Sequence, residues 1–267
     1  MKIINSLSNV AVKDLVRLKK TGERKKSGLI IVDGWREIKL AIEFGWEVFE
    51  IFYCSGFDKK NKKNEDGIFF QKEIKTTEVS REVFIKICYK DKPDGFLAII
   101  KSRESYLKDI KLVDELPVVV LENIEKPGNL GAIIRTCAAV GVAAIIINDN
   151  QTDVYNPNVI RASEGQIFTQ TLIKASAEET RKWLKANKIK SFAAATSGSQ
   201  AYTSVDLSGL VAIVLGSEAN GLSSEWLSGA DKLIKIPMLS GIDSLNVSVA
   251  AAIILFETLR QKRLKLK

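Results

Sequence analysis

Three short stretches of this chain carry residues whose types and spacing could do chemistry. The first reads Gly216-Ser217-Glu218-Ala219-Asn220-Gly221-Leu222-Ser223 and follows an apolar run at 211–215. Its glycine spacing is that of the phosphate-cradling loop G-x-x-x-x-G-K-[ST]. Leu222 stands where that loop needs a lysine for the β- and γ-phosphates. Glu218 would repel a polyphosphate further. The loop therefore suits a ligand of little negative charge or a cation, unless its glycines merely make the turn. No G-x-G-x-x-G follows a strand, which disfavours an ordinary dinucleotide fold.

The second stretch is Asn123-Ile124-Glu125-Lys126-Pro127-Gly128-Asn129-Leu130-Gly131-Ala132-Ile133-Ile134-Arg135. It leaves a strand through a Pro-Gly turn and enters a helix with Asn129 as the expected N-cap. Arg135 is the one charged residue of the expected helix at 130–140. A guanidinium on so apolar a helix needs an anionic partner or a water-filled cleft, and a core salt bridge would serve equally. The third stretch joins Ile236-Pro237-Met238 to Ser244-Leu245-Asn246-Val247-Ser248. Its polar residues open a helix that is apolar all round and is expected to be deeply buried. Ser244 is the expected cap. Capping explains Asn246 poorly, and a first-turn asparagine could face a site beside the free N–H groups.

Composition narrows the chemistry. Among 267 residues there is no histidine, which removes Ser-His-Asp and Cys-His triads, histidine bases and histidine-ligated zinc. Cys54, Cys88 and Cys137 lie far apart without C-x-x-C spacing and cannot make a four-thiolate site, so no metal is expected. Their odd number and the lack of a secretory signal point to a reducing cytosol. The longest apolar run, 249–256, is far shorter than the ~20 residues of a membrane span. The net charge is +8, and residues 1–105 carry more of it than the rest. Lys19, Lys20, Arg24, Lys25 and Lys26, then Lys59, Lys60, Lys62 and Lys63, are either phosphate-contacting patches or solvated faces.

The elements that must position these residues follow from the pattern. Before residue 105, apolar stretches at 29–32, 48–53 and 96–100 between polar helices read as a small α/β domain. A charged connector at 106–116 precedes a second domain at 117–267. There, strand candidates at 117–122, 143–148, 191–195, 211–215 and 232–236 alternate with helix candidates at 130–140, 177–187, 223–227 and 245–262. The strands are apolar without alternation, as expected of a parallel sheet covered on both faces.

The three stretches, in this order, resemble the SpoU/TrmH family of RNA ribose 2′-O-methyltransferases in the SPOUT superfamily. A fourth, Tyr155-Asn156-Pro157-Asn158-Val159-Ile160-Arg161-Ala162-Ser163-Glu164-Gly165, also looks like the family, although a small residue is more usual at Glu164. The likeness is strong over about 117–262. It is weaker over 1–100, where Val32-Asp33-Gly34-Trp35-Arg36-Glu37 is similar to the family's E-G-x-R segment, with Asp33 in place of Glu. The resemblance implies an α/β fold: a parallel-sheet SPOUT domain with a C-terminal trefoil knot, behind a small α/β RNA-binding domain.

It also implies S-adenosylmethionine as cofactor, held by Thr196, Leu215, Gly216, Ile236, Met238 and Leu245. The activity it implies is methylation of a ribose 2′-hydroxyl in structured RNA, in the cytoplasm, by a homodimer whose sites draw on both subunits. Arg135 would meet the reacting hydroxyl, as base or as the charge that holds a phosphate and the developing alkoxide. Asn129 would orient Arg135 or the ribose, Ser244 and Asn246 would position substrate or cofactor, and Glu218 would organise the loop. A front domain of this size leans toward ribosomal over transfer RNA. A transfer RNA enzyme, or a non-catalytic RNA-binding protein of the same fold, is the alternative.

Overall fold

The computed structural model describes residues 3–57, 74–112, 116–148, 153–239 and 244–265. Packing density divides the chain into two units: residues 1–103 with 155–169, and residues 104–154 with 170–267. Both are α/β, and the second carries the large parallel sheet.

The first unit opens with α1 (Val10–Leu18) and α2 (Thr21–Ser27). Then come β1 (Leu29–Asp33), α3 (Trp35–Glu43), β2 (Val48–Tyr53), β3 (Lys75–Glu78), α4 (Arg81–Ile87) and β4 (Phe96–Lys101). The sheet order is β1-β4-β2-β3, with β4 antiparallel to both neighbours and β2 parallel to β3. Leu15, Ile31, Phe52, Phe84 and Leu97 fill one face of it. Strand β3 is too polar to be read from its sequence.

Two of the basic residues read as phosphate contacts or solvated faces are consumed by the fold. The buried Arg24 donates to the Leu18 and Lys19 carbonyls at 2.8 and 2.7 Å, satisfying the free end of α1. Lys19 donates to the carbonyls of Lys86 and Cys88 and lies over the Tyr89 ring. Lys20, Lys25 and Lys26 stay exposed. The cluster Lys59, Lys60, Lys62 and Lys63 lies outside the described residues.

In the second unit β5 (Val118–Leu121) leads through α5 (Pro127–Val140) to β6 (Ala144–Ile147). The chain then supplies α6 (Pro157–Ala162) to the first unit and resumes with β7 (Leu172–Lys174), α7 (Ala177–Ala186) and β8 (Lys190–Ala194). It finishes with β9 (Gln200–Ala201), β10 (Val211–Leu215), α8 (Ser224–Gly229), β11 (Lys232–Lys235) and α9 (Val247–Lys265). The seven strands are parallel in the order β7-β6-β5-β10-β8-β11-β9. Every residue of β5, β6 and β10 is buried, as their unbroken apolar runs require. Asn148, at the end of β6, is buried but satisfied by Ala175, Thr180 and Trp226.

The segment 155–169 is held in the first unit by an aromatic clasp. The Trp46 indole donates to the Phe168 carbonyl at 2.9 Å and packs edge-on against Phe168 and Tyr155. The Tyr155 hydroxyl donates to the Arg103 carbonyl, and the Arg103 guanidinium lies over the indole ring. Glu164 pairs with Arg36 at 2.5 Å, so two motif segments far apart in sequence meet. The boundary at 105 read from composition has no counterpart for this segment.

Helix α9 departs from its expected burial. Val249 and Phe256 are about half exposed on one side, while Ala251, Ile254 and Leu255 are buried on the other. No described helix is long and apolar enough to cross a membrane.

Candidate functional site

Strands β5, β10, β8 and β11 are neighbours and parallel, so the loops leaving their carboxyl ends emerge along one edge. The chain runs outward from β5 through β6 to β7, and the later strands lie on the other side of β5. That reversal makes the edge beside β5 and β10 a topological switch point, where parallel sheets hold ligands.

The loop after β10 is the glycine stretch. The main chains of Ser217 and Gly221 exchange hydrogen bonds at 3.1 and 2.9 Å. A methyl group on Gly216 would lie 2.3 Å from the Gly221 carbonyl oxygen, so glycine here is demanded by a close backbone approach. Glu122, buried at the end of β5, accepts from the Ser223 main-chain N–H at 2.7 Å and its hydroxyl at 2.8 Å. That carboxylate pins the far end of the loop. Sequence reading passed over it as a strand terminus; the signal was a lone acid closing an apolar run.

These loops enclose a cavity of about 430 Å3, within the range of small-molecule sites. All six expected cofactor contacts, Thr196, Leu215, Gly216, Ile236, Met238 and Leu245, lie in its wall. Ser244 and Glu218 line it too. Among the described wall residues Glu218 is the one carboxylate and Lys235 the one cation. Such a wall of main-chain groups and apolar side chains, with one carboxylate, fits S-adenosylmethionine, a sulfonium without net negative charge, better than a polyphosphate.

A smaller hollow of about 210 Å3, lined by Ile124, Glu125, Lys126, Asn129, Glu218 and Val247 among others, shares Ser217, Glu218 and Val247 with the first. Asn246 bridges the two sides of the site. Its Nδ2 donates to Asn129 Oδ1 at 3.2 Å and to Glu218 Oε1 at 2.5 Å. Lys126, which sequence reading did not single out, reaches Glu218 Oε2 at 3.3 Å.

Helix capping differs from the expectation in two places. Helix α5 starts at Pro127, so Asn129 sits inside its first turn and not at the cap. At α9 the cap is Asn246, not Ser244. Asn246 Oδ1 accepts from the Ser248 N–H and hydroxyl, and its carbonyl accepts from Val249 and Ala250. Arg135 is exposed two turns along α5 and lines neither hollow. The structure thus brings Asn129, Glu218 and Asn246 together, sets Ser244 in the cavity wall, and leaves Arg135 on the surface of the helix.

The SpoU rRNA Methylase family matches residues 117–256, and an MRM3-like substrate binding domain matches residues 9–98. The chain belongs to the SpoU methylase family. It is 27% identical, over 96% of its length and 98% of the relative's, to the 23S rRNA (guanosine(2553)-2′-O)-methyltransferase RlmP of Bacillus subtilis. It is 26% identical to the 23S rRNA (uridine(2479)-2′-O)-methyltransferase of Streptomyces viridochromogenes, over 90% of this chain and 85% of that one. The AdoMet-bound rRNA methyltransferase of Sinorhizobium meliloti superposes with a TM-score of 0.88 at 30% identity, covering 97% of each chain.

Proposed function

We propose that this chain methylates a ribose 2′-hydroxyl of ribosomal RNA, with S-adenosylmethionine as methyl source. The observation that carries the reading is the 430 Å3 cavity whose wall meets the Asn129–Asn246–Glu218 cluster at shared residues. The two relatives named above act on 23S rRNA, and the matched Sinorhizobium structure holds AdoMet.

Bound in the cavity, S-adenosylmethionine supplies a methyl group already activated by its sulfonium. The protein is left to align the ribose hydroxyl and to ease the loss of its proton. Without histidine, the groups at hand are amides, the carboxylates of Glu125 and Glu218, and cations. Asn129 and Glu218 face the smaller hollow, where the ribose would lie. Thr196, Leu215, Gly216, Ile236, Met238, Leu245 and Ser244 hold the methyl source.

Arg135 has its place in a homodimer. The half-exposed Val249 and Phe256 form an apolar stripe on α9, which packs against α5, the helix that carries Arg135. A second copy seated on this face would bring its own Arg135 guanidinium to the site, to hold a phosphate and the developing alkoxide. The first unit, with Lys20, Lys25 and Lys26 exposed, would draw in the RNA. The family's threaded C-terminus belongs to this reading. A ribosomal RNA substrate fits the expected cytoplasmic location.

The test is transfer of labelled methyl to ribosomal and transfer RNA from cells lacking the gene, with mapping of 2′-O-methyl sites. Arg135→Ala should cut turnover by about 100-fold or more. Wild-type turnover in that variant, or label on transfer RNA alone, would overturn the reading.

A further inference from the structure

Lys126 occupies the cap position of α5, and its side chain does no capping there. An ammonium has no acceptor to offer the first-turn N–H groups, and a cation at the amino end of a helix opposes the helix dipole. A serine or aspartate would serve the helix better. The root of the side chain is nonetheless fixed, because the Lys126 carbonyl accepts from the Asn129 and Leu130 N–H groups at 3.0 and 3.1 Å. From there the ammonium reaches Glu218 Oε2 at 3.3 Å, with 74% of the lysine side chain exposed. So exposed a pair adds little to stability. Glu218 is also held without it, since Oε1 accepts from Asn246 Nδ2 at 2.5 Å. Neither the helix nor the carboxylate accounts for a lysine at 126.

The hollow it lines does. Among the described residues around this space of about 210 Å3, Lys126 is the one cation, against the carboxylates of Glu125 and Glu218. A ribose inside an RNA strand arrives with a phosphate on either side. Glu125 and Glu218 repel those phosphates, and Lys126 is the group on this wall that attracts them.

We infer that Lys126 contacts a backbone phosphate of the RNA strand that enters the smaller hollow, and that Glu218 is its partner when no RNA is bound. The inference rests on the methyl-transfer reading above. It differs from the part given there to Arg135, which needs a second copy, because Lys126 belongs to the same chain as the hollow. A phosphate lies outside the reacting bonds, so this contact holds substrate and transition state alike and acts on KM more than on kcat.

The test compares full-length Lys126→Ala and Lys126→Arg with wild type on ribosomal RNA from cells lacking the gene, over a range of potassium chloride concentrations. Lys126→Ala should raise KM for the RNA about tenfold. Its kcat, and its S-adenosylmethionine affinity by calorimetry, should stay within about threefold of wild type. Its melting temperature should not fall. The slope of log KM against log salt should become shallower by about 0.7, the share of one phosphate on a single strand. Lys126→Arg keeps the charge and should restore both KM and slope. If Lys126 served only to hold Glu218, cofactor affinity or kcat would fall and the salt slope would stay as in wild type. That result, a normal KM in Lys126→Ala, or an arginine variant no better than alanine overturns the inference and leaves the methyl-transfer reading standing. A wild-type protein that transfers no methyl to ribosomal RNA overturns both.

Discussion

Replacing Gly216 by alanine tests whether the glycine loop is shaped by backbone contact or only by the need to turn. The added methyl would fall 2.3 Å from the Gly221 oxygen, 2.4 Å from its carbonyl carbon and 2.5 Å from the Leu222 nitrogen. All three are main-chain atoms, so no side chain can swing aside. The loop must open and give up the two hydrogen bonds between Ser217 and Gly221. At about 1 kcal/mol for each bond and about 1–3 kcal/mol for overpacking, the cost comes to about 3–5 kcal/mol. If the whole second unit bears it, the melting temperature should fall by about 6–20 °C, at 2–4 °C per kcal/mol for a domain of that size. If only the loop yields, S-adenosylmethionine affinity should fall by about 100-fold or more. Thermal melts and calorimetry on one preparation distinguish the two. Gly209→Ala is the control, because nothing lies within 4 Å of its added methyl. Gly216→Ala with both wild-type melting and wild-type affinity would show that the close approach does not shape the loop.

Glu122→Ala removes the acceptor for both the Ser223 N–H and hydroxyl from a buried position. A loss of about 2–4 kcal/mol is expected in urea unfolding, with weaker cofactor binding in calorimetry. Asp33 is buried, and desolvation pushes its carboxyl above the ordinary carboxylate range despite the N–H bonds from Tyr89 and Lys90. Ionising it therefore costs more in the fold than in the unfolded chain, so its stabilising share is full at acid pH and is lost as pH rises through the raised pKa. An asparagine in its place would keep an acceptor for both N–H groups without the charge. Melting of Asp33→Asn should exceed wild type at pH 7, with the gap closing toward pH 4; a gap that widens on acidification would refute this.

The large sheet was legible because VVVL, AIII and VAIVL bury every side chain, and only a strand covered on both faces tolerates such runs. The six residues that the family resemblance named as cofactor contacts line one cavity, while the missing lysine at 222 had already turned the loop away from polyphosphates. Ser244 was the expected cap because the helix was expected to open at 245; it opens at Val247, where Asn246 Oδ1 accepts from the Ser248 N–H in an Asx turn. Lys19 and Arg24 read as phosphate contacts or solvated faces, but the carbonyls left bare at 18, 19, 86 and 88 claim them. Nothing local marks such partners, because they come from elsewhere in the fold. The same holds for α9, whose apolar circumference read as burial, while the fold covers one side and leaves Val249 and Phe256 uncovered.

The aromatic clasp on Trp46 makes the front unit discontinuous in the gene. A fragment ending near residue 105 would lack Phe168 and Tyr155, strip the indole of its acceptor and leave Arg36 without Glu164. Grafting this unit onto another methylase would accordingly need two splices, the second carrying residues 155–169 along with it.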